Sequence, residues 1–421
     1  MILPAYRAVS AALQPFGPLL LRGRMRRGKE DPARLEERMG HASVPRPDGP
    51  LVWLHAASVG EAQSVLRLIE RLSSREPAVS ILITSGTVTS AKMLAGRLPD
   101  NVLHQFSPVD LPGATSRFIA HWRPDLAIWI ESELWPNLIS DMAETGNPLV
   151  LINGRMSSRS FGRWRHIPVA ARRMLSRFSL VLAQNDEAAA RFRQLGAPEV
   201  RTEGNLKYAA DRLPADDAAL SALRDSIGDR SFWLSASIHP GEDEVTARVH
   251  QRVSAAHPDL LTIVAPRHPA RAAEMAAHFS ASNLKGARRS DGDDLSRETD
   301  IYIADTIGEL GLFYSLAGPV FVGGSLVPHG GQNVLEPARF GRCILSGPHT
   351  TNFSDVIADM RAGDALIEVE DAEELSAALI RLLSHKDEAV NLGHRAQQVA
   401  HRQNSVLERV LARLEPLLPV P

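Results

Sequence analysis

Short runs of apolar, often β-branched residues recur along the chain. Each is followed by a turn rich in glycine, serine or other polar residues, and most then run on into residues with helical spacing. LVWLHAASVGEAQ (51–63) shows this order first, and VSILITSGTVTSA (79–91), LAIWIESELWPNLI (126–139) and LVLINGRMS (149–157) repeat it. SLVLAQNDEAAARF (179–192) and VRTEGNLKYAA (200–210) continue the series. Buried strands separated by helical stretches predict βαβ units and a mostly parallel sheet. Residues 213–230 are polar, rich in Asp and Ala, and contain no strand, which suits a helix or linker between two bodies. The rhythm then restarts with SFWLSASIHPGEDE, LLTIVAPRHPAR, TDIYIADTIGELGLFY, GPVFVGGSLV, RCILSGPHT and ALIEVED. From Ala372 onward the leucine spacing is helical, and a final helix fits either body.

The pattern predicts five segments: 1–30, an apolar and basic N-terminal stretch; 31–212, a first α/β domain; 213–230, a linker or helix; 231–400, a second α/β domain; and 401–421, a C-terminal helix. The first twenty-one residues carry Arg7 and three prolines, and are followed by Arg22, Arg24, Arg26, Arg27 and Lys29. A signal peptide has its charges ahead of the apolar run, the reverse of this order. An apolar segment beside a basic cluster suits an anionic membrane surface. A helix docked on the protein body, or a true span, are the alternatives.

Composition narrows the function classes. Forty-seven basic residues against forty-nine acidic ones give a net charge of −2, which excludes wholesale coating of nucleic acid. One cysteine, Cys343, forms neither an intrachain disulfide nor a thiolate metal cluster, and fits a reducing compartment. GxGxxG, GxxxxGK[ST] and GxSxG are all absent, so dinucleotide, P-loop and hydrolase-elbow readings have no motif. His239, His268, His329 and His349 lie in separate segments without metal-ligand spacing.

In parallel sheets ligands sit beyond the carboxyl ends of the strands. Glu61 follows the first strand in HAASVGE, where it either complements a helix dipole or serves as a general base. Glu131 and Glu133 bracket a strand end, where charge is costly unless paired. Lys207 lies in GNLK, placed to meet a phosphate or to snorkel. The second half offers Pro266-Arg267-His268, the Asp305–Glu309 turn, Gly323-Gly324-Ser325 and Gly330–Pro337. A Gly-Gly after a buried strand predicts backbone N–H groups open to an anion.

Twelve pieces in this order, spread over about residues 3–415, resemble the 3-deoxy-D-manno-octulosonic acid (Kdo) transferases of lipopolysaccharide synthesis. They include HAASVGEAQS, TSGTVTSA, IESELWPNLI, NGRMSSRS, GNLKYAAD, SASIHPGEDE, APRHPAR, DTIGELGLFY and FVGGSLVPHGGQNVLEPA. The resemblance implies a GT-B glycosyltransferase with two Rossmann-like α/β domains facing across a deep cleft. It places Glu61 as general base, with Glu131 and Lys207 stabilising the transition state. It assigns CMP contacts to Pro266 and Arg267, to Ile307, Gly308 and Glu309, and to Asn333, Val334, Leu335 and Glu336. Gln332 stands where relatives often carry histidine.

The implied reaction moves Kdo from CMP-Kdo to a bisphosphorylated lipid A precursor with inversion, at the cytoplasmic face of the inner membrane. CMP is already a good leaving group, so no cofactor and no metal is expected. Arg267, Lys207 and the N–H groups after Gly323 are expected to stabilise the departing phosphate. Arg155, Arg159, Arg163, Arg165, Arg172 and Arg173 form a second basic region for acceptor or membrane. A sugar-nucleotide epimerase and a catalytically silent lipid-binding protein are the competing classes. The first needs no N-terminal segment; the second has no use for Glu61, Arg267, Lys207 and Glu336.

Overall fold

The computed structural model describes residues 2–419 apart from 76–78, 210–211, 294 and 317. It divides into two compact units, Met1–Ala209 with Ser405–Pro421, and Ala210–Asn404. The pair 210–211 that closes GNLKYAAD lies outside the described residues.

The first unit is built on seven parallel strands: β1 Leu51–Ala56, β2 Ser80–Ser85, β3 Val102–Phe106, β4 Leu126–Ile130, β5 Leu149–Gly154, β6 Leu180–Ala183 and β7 Val200–Thr202. Their spatial order is β3-β2-β1-β4-β5-β6-β7, so the winding direction reverses between β1 and β4. Alternation along each strand feeds two cores. Val52, Leu54, Ile128 and Ile130 enter one; Leu51, Trp53, Ala127 and Trp129 enter the other. A parallel strand covered on both faces needs apolar residues at every position, hence the unbroken LVWL and LAIWI runs. The first core also takes in Val406, Leu407, Val410 and Leu414 of the helix Val406–Leu414. Buried Glu203 anchors that helix through Arg409 and Arg413 at 3.2 and 2.9 Å. The open question of the final helix is thereby settled in favour of the first unit.

The N-terminal stretch forms two helices, Ile2–Leu13 and Gly17–Met25. No helix among the described residues is long and apolar enough to cross a membrane. One side is pinned to the sheet unit: Arg7 pairs with Asp141 at 2.6 Å, Tyr6 donates to Asp110 at 2.9 Å, and Asn137 donates to buried Ser10 at 2.9 Å. The other side leaves Val9, Leu13, Phe16, Leu19 and Leu20 each more than half exposed. Docking and surface exposure coexist on one segment.

The second unit repeats the architecture with β8 Phe232–Ile238, β9 Leu261–Pro266, β10 Gly286–Arg288, β11 Ile301–Ile303, β12 Val320–Val322, β13 Ile344–Ser346 and β14 Ile367–Glu368. The order is β10-β11-β9-β8-β12-β13-β14, all parallel, with the reversal between β8 and β12. Residues 213–230 contain the helix Asp217–Ile227. The sequence pattern passed over β3, whose VLHQF carries two polar residues, and the three-residue β10.

Candidate active site

Glu61 lies just beyond β1, at the edge of the β1/β4 reversal where α/β sheets collect ligands. It is the third residue of the short helix Val59–Ser64, whose N-cap is Ser58. The Glu61 N–H donates to Ser58 Oγ (3.3 Å), Ser58 Oγ donates back to the carboxylate (3.0 Å), and the Ala57 N–H donates to its other oxygen (2.7 Å). This is a reciprocal cap. The cap does not leave the group an ordinary carboxylate. Burial outweighs these hydrogen bonds and, with Glu131 and Glu133 nearby, pushes the Glu61 pKa up to about 7.

Glu131 follows β4 across the reversal. It is buried and holds a left-handed φ of 62°, a conformation unfavourable for a side chain with a Cβ. Backbone hydrogen bonds from Glu131 to Ile152 (3.1 Å) and from Arg155 to Glu131 (3.4 Å) hold that turn. Its carboxylate meets Lys207 Nζ at 2.5 Å. Glu133, by contrast, is exposed and accepts from Trp135.

Lys207 sits in the turn Leu206–Tyr208, beyond β7 and not within a strand. Asn153 Oδ1 accepts the Leu206 N–H and Asn205 Oδ1 accepts the Lys207 N–H, both at 3.0 Å. A Cβ on Gly60 would lie 3.9 Å from Lys207 Nζ, an ordinary contact distance, which places the ammonium against the residue preceding Glu61. Three groups from separate parts of the sequence thus meet: a carboxyl titrating near neutrality and a lysine–glutamate pair.

In the second unit Pro266 closes β9 and Arg267 follows it, exposed, its N–H bonded to the Ile238 carbonyl at 3.0 Å. The Arg267 guanidinium makes no ion pair among the described residues, and its charge acts on Glu336 and His239. Burial raises the Glu336 pKa against the pull of Arg339, Asn333 and Arg267; its hydrogen-bonding partner is the Asn333 amide at 3.4 Å. Val334 and Leu335 are fully buried, main chain included, and the Leu335 N–H donates to Asn333 Oδ1 at 3.1 Å. Ile307 is 89% exposed, beside Gly308 at φ 89°. Glu309 is engaged by the Arg289 fork at 2.6 and 2.5 Å and by Thr306.

Residues 33–210 match the family model for 3-deoxy-D-manno-octulosonic-acid transferase (kdotransferase). The 3-deoxy-D-manno-octulosonic acid transferase of Rickettsia bellii is 33% identical over 416 residues, covering 98% of this chain and 99% of that protein. This chain belongs to the Kdo transferase family. It is an enzyme, a glycosyltransferase. The Haemophilus influenzae transferase is 36% identical, with 91% of each chain covered. A probable mitochondrial Kdo transferase of Arabidopsis thaliana is also 36% identical, over 91% of this chain and 88% of that one. The fold is GT-B. A UDP-GlcNAc 2-epimerase from Neisseria meningitidis (TM-score 0.55, 12% identity) and a glycosyltransferase from Rickettsia africae (TM-score 0.54, 11% identity) share it, covering 87% and 89% of this chain and all of theirs.

One expectation for this Kdo transferase is overturned. The N–H groups after Gly323 are not open to a phosphate. Glu242, fully buried, already occupies them: its carboxylate accepts from Gly324 (2.7 Å), Ser325 and Leu326 (both 3.0 Å) and from His239 (2.8 Å). Gly323 itself donates to Ala236 at 2.8 Å. The loop had its own internal anion, which a Gly-Gly pattern does not disclose. The N–H groups of half-buried Gln332 and Asn333 carry no hydrogen bond to a described residue, which leaves these as the accessible main-chain donors nearest Glu336 in sequence. Gln332 donates its amide to His239 Nε2 at 3.0 Å, and His239 stacks on His329 at 4.3 Å. Asp243, Glu274 and His278 converge within 4.8 Å, and Arg271 contacts both carboxylates, at 3.3 and 3.0 Å.

Proposed function

We propose that the enzyme transfers Kdo from CMP-Kdo to a bisphosphorylated lipid A precursor, lipid IVA, with inversion and release of CMP. The observation that carries this reading is the Glu61 carboxyl, titrating near neutrality beside the Lys207–Glu131 pair. An acceptor hydroxyl gives its proton to Glu61 as its oxygen attacks the anomeric carbon. The bond from that carbon to the phosphate oxygen breaks, and its electron pair leaves with CMP. Direct displacement inverts the centre through an oxocarbenium-like state. Lys207 supplies positive charge, and Glu131 fixes its ammonium in place.

CMP binding is assigned to the second unit. Arg267 forms no ion pair among the described residues and neutralises the phosphate, while the Gln332 and Asn333 N–H groups donate to its oxygens. Glu336, more weakly engaged than Glu309, accepts from a ribose hydroxyl. Exposed Ile307 offers the cytosine ring an apolar face. With a guanidinium at the leaving phosphate and a good leaving group, the reaction proceeds without a divalent ion.

The acceptor is a membrane glycolipid, and the first unit has surfaces suited to it. Val9, Leu13, Phe16, Leu19 and Leu20 enter the interface from the cytoplasmic face of the inner membrane, making the enzyme peripheral or monotopic. Arg22, Arg26, Arg27 and Lys29 are exposed and attract anionic headgroups; Arg24 is committed to Glu30 at 2.5 Å. Arg155, Arg159, Arg163, Arg165, Arg172 and Arg173 are all exposed and form no ion pair among the described residues, which suits an acceptor bearing two phosphates.

Incubation with CMP-Kdo and a tetraacylated lipid A precursor tests the reading by mass spectrometry of the glycolipid. The product gains one or more Kdo residues as an equal number of CMP molecules appears. An unmodified acceptor, with CMP-Kdo intact, contradicts it.

A further inference from the structure

The carboxyl ends of the second sheet hold the residues assigned to CMP. Its amino ends hold something different. Strands β8, β12 and β13 begin after Ser231, Pro319 and Cys343, where a cavity of about 690 Å³ opens. Its floor is apolar, formed by Phe232, Phe340 and Leu382, and Val390, 54% exposed, is an apolar part of its lining. The cations among its lining residues include Arg212, Arg342 and Lys386, and His394 is also part of the lining. A second cavity of about 640 Å³ shares Arg212 and His394 and adds Arg339, His401 and Arg402. No carboxylate lines either cavity among the described residues.

The guanidinia are oriented by neutral groups. Arg212 lies over the Phe340 ring at 5.5 Å and donates to the Arg339 carbonyl at 2.7 Å. Arg342 donates twice to the Phe340 carbonyl (2.8 and 2.5 Å) and once to Leu316 (2.9 Å). Neither forms an ion pair with a described carboxylate. Burial, and then the charges of Arg212 and Arg224, lower the Arg342 pKa. Like charges gathered around an apolar floor repel one another, and a bound anion relieves that repulsion. A phosphate monoester, with nearly two charges and three acceptor oxygens, satisfies several cations at once; a monocarboxylate offers one charge. The volume suits a small molecule.

We propose that this cavity is a second ligand site, for a soluble phosphate monoester carried on an apolar body. It is separate from the CMP residues, because the seven-residue strand β8 alone places some 20 Å between the two ends of the sheet.

Calorimetry on the full chain, with CMP at saturation to fill the other phosphate site, tests it with phenyl phosphate as probe. Saturable binding is expected, at least tenfold tighter than inorganic phosphate or benzoate and at least tenfold weaker in Arg212→Gln/Lys386→Gln. Both substitutions are at exposed side chains, so the fold and the CMP affinity stay intact. No saturable binding, loss of binding as CMP is added, or unchanged affinity in the double variant would overturn the site. Inorganic phosphate binding as tightly would remove the apolar body, and benzoate binding as tightly would remove the phosphate. Displacement by phosphatidate vesicles, but not by phosphatidylcholine vesicles, would assign the phosphate to a lipid headgroup and overturn the soluble ligand.

Discussion

Lys207 Nζ lies 2.5 Å from Glu131 Oε1, and Glu131 holds that position at a left-handed φ of 62°. The Glu131 side chain is 10% exposed and that of Lys207 37%. Lys207→Met leaves a buried carboxylate without its counter-charge, which costs on the order of 2–3 kcal/mol, below the range for fully buried pairs because the lysine is partly solvated. Adding Glu131→Gln should restore most of that stability but not turnover. Urea unfolding and Kdo transfer on the same preparations check both. Recovery of turnover along with stability would reduce the pair to a structural brace.

Arg267 forms no ion pair with a carboxylate among the described residues, so its removal strands no buried partner. Arg267→Ala should leave melting unchanged and weaken CMP binding more than tenfold, about 1.4 kcal/mol. Calorimetric titration reads it directly, and unchanged affinity would move the phosphate elsewhere.

Glu242 accepts four backbone N–H groups and is fully buried. Glu242→Gln turns one acceptor oxygen into a donor facing donors, at a cost on the order of 2–4 kcal/mol. Chemical denaturation measures the loss. CMP affinity should fall as well, since the carboxylate ties the β12 loop to His239, which Gln332 contacts.

Phe16 and Leu20 are each about 60% exposed. Replacing both by serine should leave melting within about 0.5 kcal/mol, as for other surface positions, and release much of the protein from anionic vesicles. Neutralising Arg22, Arg26 and Arg27 should make the remaining binding less sensitive to salt. Undiminished sedimentation of the serine variant with vesicles would show that these side chains do not enter the interface.

The two α/β bodies were legible because parallel strands buried on both faces need unbroken apolar runs, as in LVWL and LAIWI. Strand β3 was not, because its His104 and Gln105 carry out polar tasks: His104 bonds Ser85 and Gln105 accepts from Trp122. Glu61 stood out by its place after the first strand, yet the sequence posed capping and catalysis as rivals. The structure assigns the cap and the raised pKa to one carboxylate. Asn153, near the end of β5, and Asn205, in the loop after β7, seat the Lys207 turn, and nothing in the sequence marks either until the backbone shows what they hold. Glu242 was hidden for a different reason. A glutamate in the first turn of a helix reads as a dipole partner, and only the fold brings Gly324 to Leu326 onto it.

The general-base role of Glu61 is the centre of the account, and the pH dependence of kcat tests it most directly. Below about 7 the carboxyl is protonated and accepts no proton, so turnover should rise with pH through about 7 and then level off. Stability runs the other way. The folded state holds a proton that the unfolded chain releases near 4.5, so stability falls as pH rises between about 4.5 and 7. Glu61→Gln should flatten both trends, with kcat reduced by roughly 10²–10⁴ and CMP affinity nearly unchanged. The measurement is steady-state Kdo transfer from pH 5.5 to 9 by wild type and Glu61→Gln, with melting recorded at each pH. A limb near 7 in the wild type, absent from a folded but slow variant, is the predicted result. Near-wild-type turnover in the variant, or the same limb in both, would contradict it.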